Sequence, residues 1–365
     1  MLKIQDLSKE SGRRIVLNKI NVEIENGDFF CFLGPSGSGK TALMRIIAGL
    51  EKPDSGKILL DGEDLVKQEA YKRDINTIFS SFALFPDYDV YQNIEFGLNY
   101  KNISKSEKYR LVNDTIEFFE LSKYTKENIS KLDNLAKYKI ALARALINNP
   151  KILLLDDSLR LLDRKDRLKM RYELKSLHSK LNKTFIYITD SIENAFSLSN
   201  KMAIMQHGVI HQCATPEFIY ENPRTYFVAS YISNTNFFYA EILEVHGEDY
   251  VILLDDKVKI KLQTNQEIEK DRELFFAIRP ERIILSDEKD ANSLNNSLKG
   301  KIVQKDYVGE YTQYFVELEY GKLIVISELN YTFLSTSNTT PITSHHVGEE
   351  IYISWSIMSG DLVYA

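Results

Sequence analysis

Apolar residues follow two rhythms over the first two thirds of the chain. Short unbroken runs, as in "FFCFL", "KILLLDD", "TFIYITD" and "KMAIMQ", have the length and the aromatic or branched content of strands buried on both faces. Between them lie stretches with helical spacing, one of which starts at Lys40. This alternation predicts an α/β domain built on a sheet. From Asp89 to Asn149 the pattern turns helical. In "SEKYRLVNDTIEFFEL", for example, Leu111, Ile116, Phe119 and Leu121 fall on one face, so a helical subdomain is expected over about 89–149. The segment "KLDNLAKYKIALARAL" divides into two halves. From Lys139 onward it is a packed helix interior, whereas Leu132, Asp133, Asn134 and Leu135 offer only Asp and Asn as start signals.

After Ser233 the texture changes to short alternating segments: "YAEILEV", "DYVILL", "KVKIKL", "GKIVQKDYV", "YFVELEY" and "EEIYISW". These predict a second, all-β and barrel-like domain, giving domains 1–233 and 234–365. The polar stretch "DEKDANSLNNSLKG" is expected to be a loop.

Composition narrows the function classes. The chain has 365 residues, 44% of them hydrophobic, which suits two globular domains. A formal charge of −6 gives no basic footprint, and nucleic acid is not expected as a partner. Cys31 and Cys213 are far apart, and the opening "MLKIQDLSKE" lacks a basic-then-apolar leader, so a reduced, cytosolic setting is expected. No apolar run approaches the roughly 18 residues that suggest a membrane span, so membrane association is expected to come through a partner.

Chemistry enters at "FFCFLGPSGSGKTAL". Gly34 to Thr41 satisfies G-x-x-x-x-G-K-[ST] between an apolar strand and a helix, the context this phosphate loop requires. Gly34, Pro35, Ser36, Gly37, Ser38, Gly39, Lys40, Thr41 and Ala42 are the candidate nucleotide-binding residues. Backbone N–H groups wrap the β-phosphate, Lys40 places a point charge on the β and γ oxygens, and Thr41 offers its hydroxyl to Mg2+. The second metal anchor is expected to be an Asp ending a buried strand, and "KILLLDD" supplies it in Asp156. ATP and Mg2+ are the expected cofactors.

Taken together, "GPSGSGKTALMRIIAGLEKPDSGKILLDGEDL", "FALFPDYDVYQNIEFGL", "ALARALINNPKILLLDDSLRLLD" and "GVIHQCATPEFIYENPRTYFVASYI" resemble the ATPase subunits of ABC-type importers over nearly the whole chain. "FAIRPERIIL" and "VGEEIYISW" resemble the C-terminal TOBE domain of that group. "LLLDDSL", with Ser158 where most relatives have Pro, "YELKSLHSKLNKTF" and "NTNFFYAEI" are most similar to spermidine/putrescine importer ATPases. The resemblance implies a RecA-like P-loop domain with a helical subdomain, followed by an OB-like all-β TOBE domain. It implies a second ABC ATPase subunit in a homo- or heterodimer and two transmembrane permease subunits. It also implies an extracellular solute-binding protein reached indirectly, and a place on the cytoplasmic face of the cell membrane. Solute choice would lie in the partner subunits.

The resemblance also marks departures. In such pairs each ATP is held by one subunit's phosphate loop and by an LSGGQ segment at a helix tip of the other. Here Leu132 matches, but Asp133, Asn134, Leu135 and Ala136 replace Ser-Gly-Gly-Gln, obstructing the approach of backbone to the γ-phosphate. Ser80 stands where the family has a Gln that reaches the metal and the attacking water. Asp157 stands where a Glu polarises water, and Asp190 where a switch His donates to the γ-phosphate. Ser11 replaces an aromatic that stacks on adenine, while Asp163 matches the Asp of the inter-subunit loop. Three readings follow: an importer ATP-binding subunit with slowed hydrolysis, a nucleotide-binding regulatory or assembly subunit that does not turn over, and an active ATPase using substitute groups with Asp157 as base. His178 and His207 lie far in sequence from the switch position and are expected at the surface.

Overall fold

The computed structural model describes residues 1–99, 101–266, 268, 272–292, 294–330 and 345–365. The chain divides into two compact units, Met1–Phe218 and Ile219–Ala365.

In the first unit the unbroken apolar runs become the centre of a six-stranded sheet. Its order is Val209–Ala214, Lys201–Gln206, Phe29–Leu33, Thr184–Thr189, Ile152–Asp156 and Ile75–Ile78. All neighbours are parallel except the first pair. Every residue of Phe29–Leu33 and of Thr184–Thr189 is buried, as expected of strands covered on both faces. Helix Lys40–Ala48 packs beside them, and Leu43, Met44, Ile46 and Ile47 enter the core.

A second layer was not foreseen in the sequence. Strands Leu2–Ser11, Arg14–Ile24, Ser55–Leu60 and Glu63–Asp64 form an antiparallel sheet sharing the same core. Register shifts interrupt the pairing of Leu2–Ser11 with both neighbours. Each shift resets the inward face, so Leu2, Ile4 and Leu7 are buried without strict alternation.

The helical stretch is present as Val90–Phe96, Lys105–Phe118 and Asn134–Leu146. On the second of these Val112 and Ile116 are buried, and Leu111 is only half-buried. His178 is not a surface residue as expected. Its ring packs edge-on against Phe29 and Phe185 at 5.2 and 5.1 Å, whereas His207 is exposed.

Helix Asn134–Leu146 ties several segments together. The Tyr138 and Ser158 hydroxyls share a buried hydrogen bond at 3.1 Å. Asn134 donates to the Leu161 carbonyl at 3.0 Å. Arg144 donates to the carbonyls of Ala83 and Phe82 at 2.8 and 3.0 Å. Phe82 and Ala83 both have left-handed backbones, φ 63° and 46°, a costly conformation for side-chain-bearing residues that needs such clamps to persist.

The second unit is all-β. Strands Val258–Gln263, Asp249–Leu254, Asn236–His246, Leu274–Ile278 and Asp361–Tyr364 form one antiparallel sheet. Ile284–Ser286, Glu350–Ser356, Asn295–Tyr307, Tyr311–Leu318 and Leu323–Leu329 form the other. Phe238, Phe276, Ile302, Tyr314 and Trp355 belong to a single core drawn from both sheets. The expected domain boundary after Ser233 falls later than the division at Phe218. Helix Tyr226–Ile232 explains the difference, because its Ala229 clusters with Ala277 and Val363 of the β unit. The expected loop "DEKDANSLNNSLKG" is also shorter than it looked, since strand pairing begins at Asn295. Asn296 makes this possible: its amide accepts from Lys261 N–H at 2.9 Å and donates to Lys261 C=O at 2.8 Å, substituting for a neighbouring backbone.

Replacing Arg144 removes two charge-assisted bonds and releases the left-handed pair. Arg144→Ala is expected to cost about 2 kcal/mol, read as a lower urea midpoint at unchanged m.

Candidate functional site

A cleft of about 590 Å³ opens at the end of strand Phe29–Leu33, where the chain turns into helix Lys40–Ala48. Its floor is the loop 34–39. Two glycines are required there by space: a Cβ on Gly34 would lie 2.1 Å from the Met205 carbonyl, and one on Gly39, where φ is 101°, would lie 2.6 Å from the Val16 carbonyl. The loop is therefore wedged between two strands. Gly39 is also the N-cap of the helix and carries no side chain to bond its first turn, so backbone N–H groups remain for an anion.

Lys40 points back along this loop, its Nζ donating to Gly34 O, Pro35 O and Ser38 Oγ at 2.7, 2.8 and 3.1 Å. Burial pulls its pKa down, against the fields of Asp190, Asp157, Cys31 and Asp156. The ammonium thus sits where a phosphate's charge would replace weaker carbonyl contacts.

The cleft brings together Ser11, residues 36–42, Ser80, Asp156, Asp157 and Asp190, so the sequence candidates from distant segments converge. Gly34 and Pro35 take part through the Lys40 bonds. Arg14, Val16, Arg160 and Thr189 also line it and were missed, because a single arginine or threonine outside a motif leaves no pattern to find. Burial raises the pKa of Asp156, as does the neighbouring Asp157, while Lys40 opposes both. Asp157 is raised by burial and by Asp190, and lowered by the Thr189 bond, Arg160 and Lys40. Thr189 Oγ1 donates to Asp157 Oδ1 at 2.8 Å. Asp157 has φ 40°, and its own N–H donates to Ile188 O at 2.8 Å, so two bonds hold it in a left-handed turn. A carboxylate held like this, with raised basicity, suits proton abstraction from water.

Among the described residues no three His, Cys, Asp or Glu side chains are grouped to hold a metal ion. Mg2+ keeps several waters and is usually bound through one or two carboxylates plus substrate phosphates. Thr41 and Asp156, both lining the cleft beside the loop, fit that donor set.

The segment 132–136 behaves differently. Asp133 is the N-cap of helix Asn134–Leu146, and its carboxylate accepts from Ala136 N–H at 2.7 Å. One orphan N–H of the helix tip is thus satisfied internally, and the dipole there already faces an anion belonging to the chain. Asp163 does the same for helix Arg164–Leu181, accepting from Asp166 N–H at 2.8 Å.

Comparison with known proteins follows the same residues. The ABC transporter family profile matches residues 17–160, and the TOBE domain profile matches 276–360. The chain is 35% identical over 356 residues to the spermidine/putrescine import ATP-binding protein PotA of Haemophilus influenzae, covering 97% of this chain and 94% of that one. It is 36% identical over 355 residues to the protein of the same name in Hahella chejuensis, covering 97% and 95%. The chain belongs to the ABC transporter ATP-binding family. It also matches a dimeric, post-hydrolysis structure of the ATP-binding cassette MJ0796 bound to ADP and phosphate. That match has a TM-score of 0.53 and 26% identity, and covers 59% of this chain and 99% of that one. ABC ATPases of this kind use nucleotide with Mg2+ and work as dimers with permease subunits. The ABC profile spans the phosphate loop, Ser80, Asp156 and Asp157, while Ser11, Arg14 and Asp190 lie outside it. Among the described residues no helix is long and apolar enough to cross a membrane.

The raised pKa of Asp157 sets the sign of a pH effect. The folded protein holds a proton above the unfolded-state range of about 3.9, so this group's contribution falls as pH rises through its folded pKa. Asp157→Asn is therefore expected to raise the melting temperature of the nucleotide-free protein at pH 7 by a few degrees. The gain should shrink toward pH 4, as followed by scanning fluorimetry across that range.

Proposed function

We propose that this chain is the ATP-binding subunit of an ABC importer for spermidine, putrescine or a similar polyamine, and that it binds Mg-ATP through Gly34–Ala42 and Asp156. The observation that carries the nucleotide part is the convergence, in one cleft, of a glycine-wedged loop, an uncapped helix start and the metal-binding pair. The solute class rests on full-length similarity to two importer subunits bearing that name.

In this reading the nucleotide supplies the phosphoryl centre, and the chain's own groups orient and activate. Lys40 moves its Nζ bonds from the loop carbonyls to phosphate oxygens. Asp157, fixed by Thr189, takes the proton of the attacking water, with Asp190 and Ser80 on the same wall of the cleft. Two chains, or this chain and a related subunit, pair across their clefts and dock on two permease subunits at the cytoplasmic face of the membrane. A solute-binding protein acts on the far side. The surface after Ser80 supports docking: Phe85 packs at a tilt against Phe96 with centroids 4.4 Å apart, and buried Asn93 bonds Phe85 N–H at 2.9 Å and Phe85 C=O at 3.1 Å. Two half-exposed aromatic rings are thereby held in place.

One observation favours the second reading, a subunit that holds ATP and turns over slowly or not at all. Asp133 already occupies the helix tip at which a partner's γ-phosphate would be bound.

The test is phosphate release and nucleotide binding by the purified chain at saturating Mg-ATP, with Lys40→Ala as the blank. ATP is expected to bind, Lys40→Ala to abolish binding, and release to be slow. Replacing the tip by Asp133→Ser, Asn134→Gly, Leu135→Gly and Ala136→Gln together is expected to raise turnover by roughly 10²-fold, the scale of one restored set of backbone donors at a transition-state anion. Fast release by the unaltered chain overturns the second reading. Absence of ATP binding overturns both.

A further inference from the structure

One wall of the nucleotide cleft is left without a task by this account. The hairpin joining Leu2–Ser11 to Arg14–Ile24 brings Ser11, Arg14 and Val16 to the cleft. A register shift falls at Val16, between the pairs Glu10–Ile15 and Lys9–Leu17, so strict alternation is broken there, and Arg14 and Val16 both line the cleft. The Arg14 guanidinium lies beside the phosphate loop, its Nη2 4.0 Å from where a Cβ on Gly37 would stand.

Arg14 is not part of the carboxylate wall. Arg14 begins a strand of the antiparallel sheet, whereas Asp156, Asp157 and Asp190 stand at the ends of strands Ile152–Asp156 and Thr184–Thr189 of the parallel sheet. The cleft is therefore lined from two different sheets. Carboxylates come from the parallel one, and a guanidinium and a branched aliphatic side chain come from the antiparallel one. A nucleotide whose β-phosphate sits in the loop and whose terminal phosphate faces Asp156 must send its ribose and base toward the hairpin.

Among the described residues lining the cleft there is no Phe, Tyr or Trp to meet a planar base. Ser11 offers only a hydroxyl. A guanidinium is flat, weakly hydrated and always charged, so it can lie plane to plane on an aromatic face, whereas an ammonium approaches such a face only as a compact, strongly hydrated point charge. We propose that Arg14 is the nucleobase platform of this cleft. It stacks its guanidinium on the base by a cation–π contact with Val16 packed alongside, so that the base is recognised without an aromatic ring from the protein. The proposal rests on the reading that the cleft holds ATP.

Titration calorimetry on the full chain separates the two. Mg-ATP and Mg-tripolyphosphate are compared for the unaltered protein, Arg14→Ala and Arg14→Lys. The unaltered protein is expected to prefer ATP. Arg14→Ala should weaken ATP about five-fold and tripolyphosphate by less than about two-fold. Arg14→Lys, which keeps the charge but not the plane, should recover only part of the ATP affinity lost in Arg14→Ala. Ser11→Tyr added to Arg14→Ala should recover ATP affinity. Equal weakening of both ligands would make Arg14 a phosphate contact. That outcome, an unchanged ATP affinity in Arg14→Ala, or equal affinities of the unaltered protein for the two ligands would each overturn the platform while leaving the ATP reading intact. Failure of the unaltered protein to bind either ligand would instead remove the reading beneath it.

Discussion

A helix that begins with nothing to satisfy its first turn is the constraint around which the first unit is arranged. Helix Lys40–Ala48 starts at Gly39, whose left-handed backbone and lack of a side chain leave the N–H groups facing the cleft. Such a start is tolerable because the loop before it cannot collapse: Gly34 abuts the Met205 carbonyl, Gly39 abuts that of Val16, and both strands are anchored in the core. The buried strand Phe29–Leu33 sets the position and Lys40 supplies the charge. Asp156 and Asp157 come from another parallel strand whose end reaches the same edge of the sheet. That crevice outside the carboxyl ends of the strands is where an open α/β sheet offers a ligand site.

Helix Asn134–Leu146 plays the opposite part. It contacts two segments at once, through Arg144 to Phe82 and Ala83, and through Tyr138 to Ser158 and Asn134 to Leu161. The segments carrying Ser80 and Asp157 are therefore cross-braced by one rigid element.

The sequence was most legible where geometry restricts residue choice. The phosphate loop needs glycine at positions where a Cβ would strike backbone, and buried parallel strands need unbroken apolar runs, so both leave marks that survive without alignment. The antiparallel layer left none, because the register shifts around Ile4, Leu7 and Lys9 break the period of two on which strand recognition depends. The start of strand Asn295–Tyr307 was hidden for another reason: Asn296 is polar because its amide stands in for backbone. At the site, the motif residues and Asp156 at its strand end were readable, and Asp157 and Asp190 became so once family resemblance aligned them. Arg14 and Arg160 were not, since surface arginines are common and only the fold places them in the cleft. The segment at Asp133 was noticed as a damaged tip, and its side chain turned out to be a cap.

That cap can be restated in terms of competition. An anion approaching this helix N-terminus meets a carboxylate already there, and Asp133 is an anion that never leaves. Tethered within a single turn, it acts at an effective concentration far above the millimolar range of short flexible linkers. Any external anion arriving at this tip would have to compete with a resident ligand that does not diffuse away. Supplying more nucleotide would do little to shift that contest, whereas shortening, neutralising or re-aiming one carboxylate would reset it.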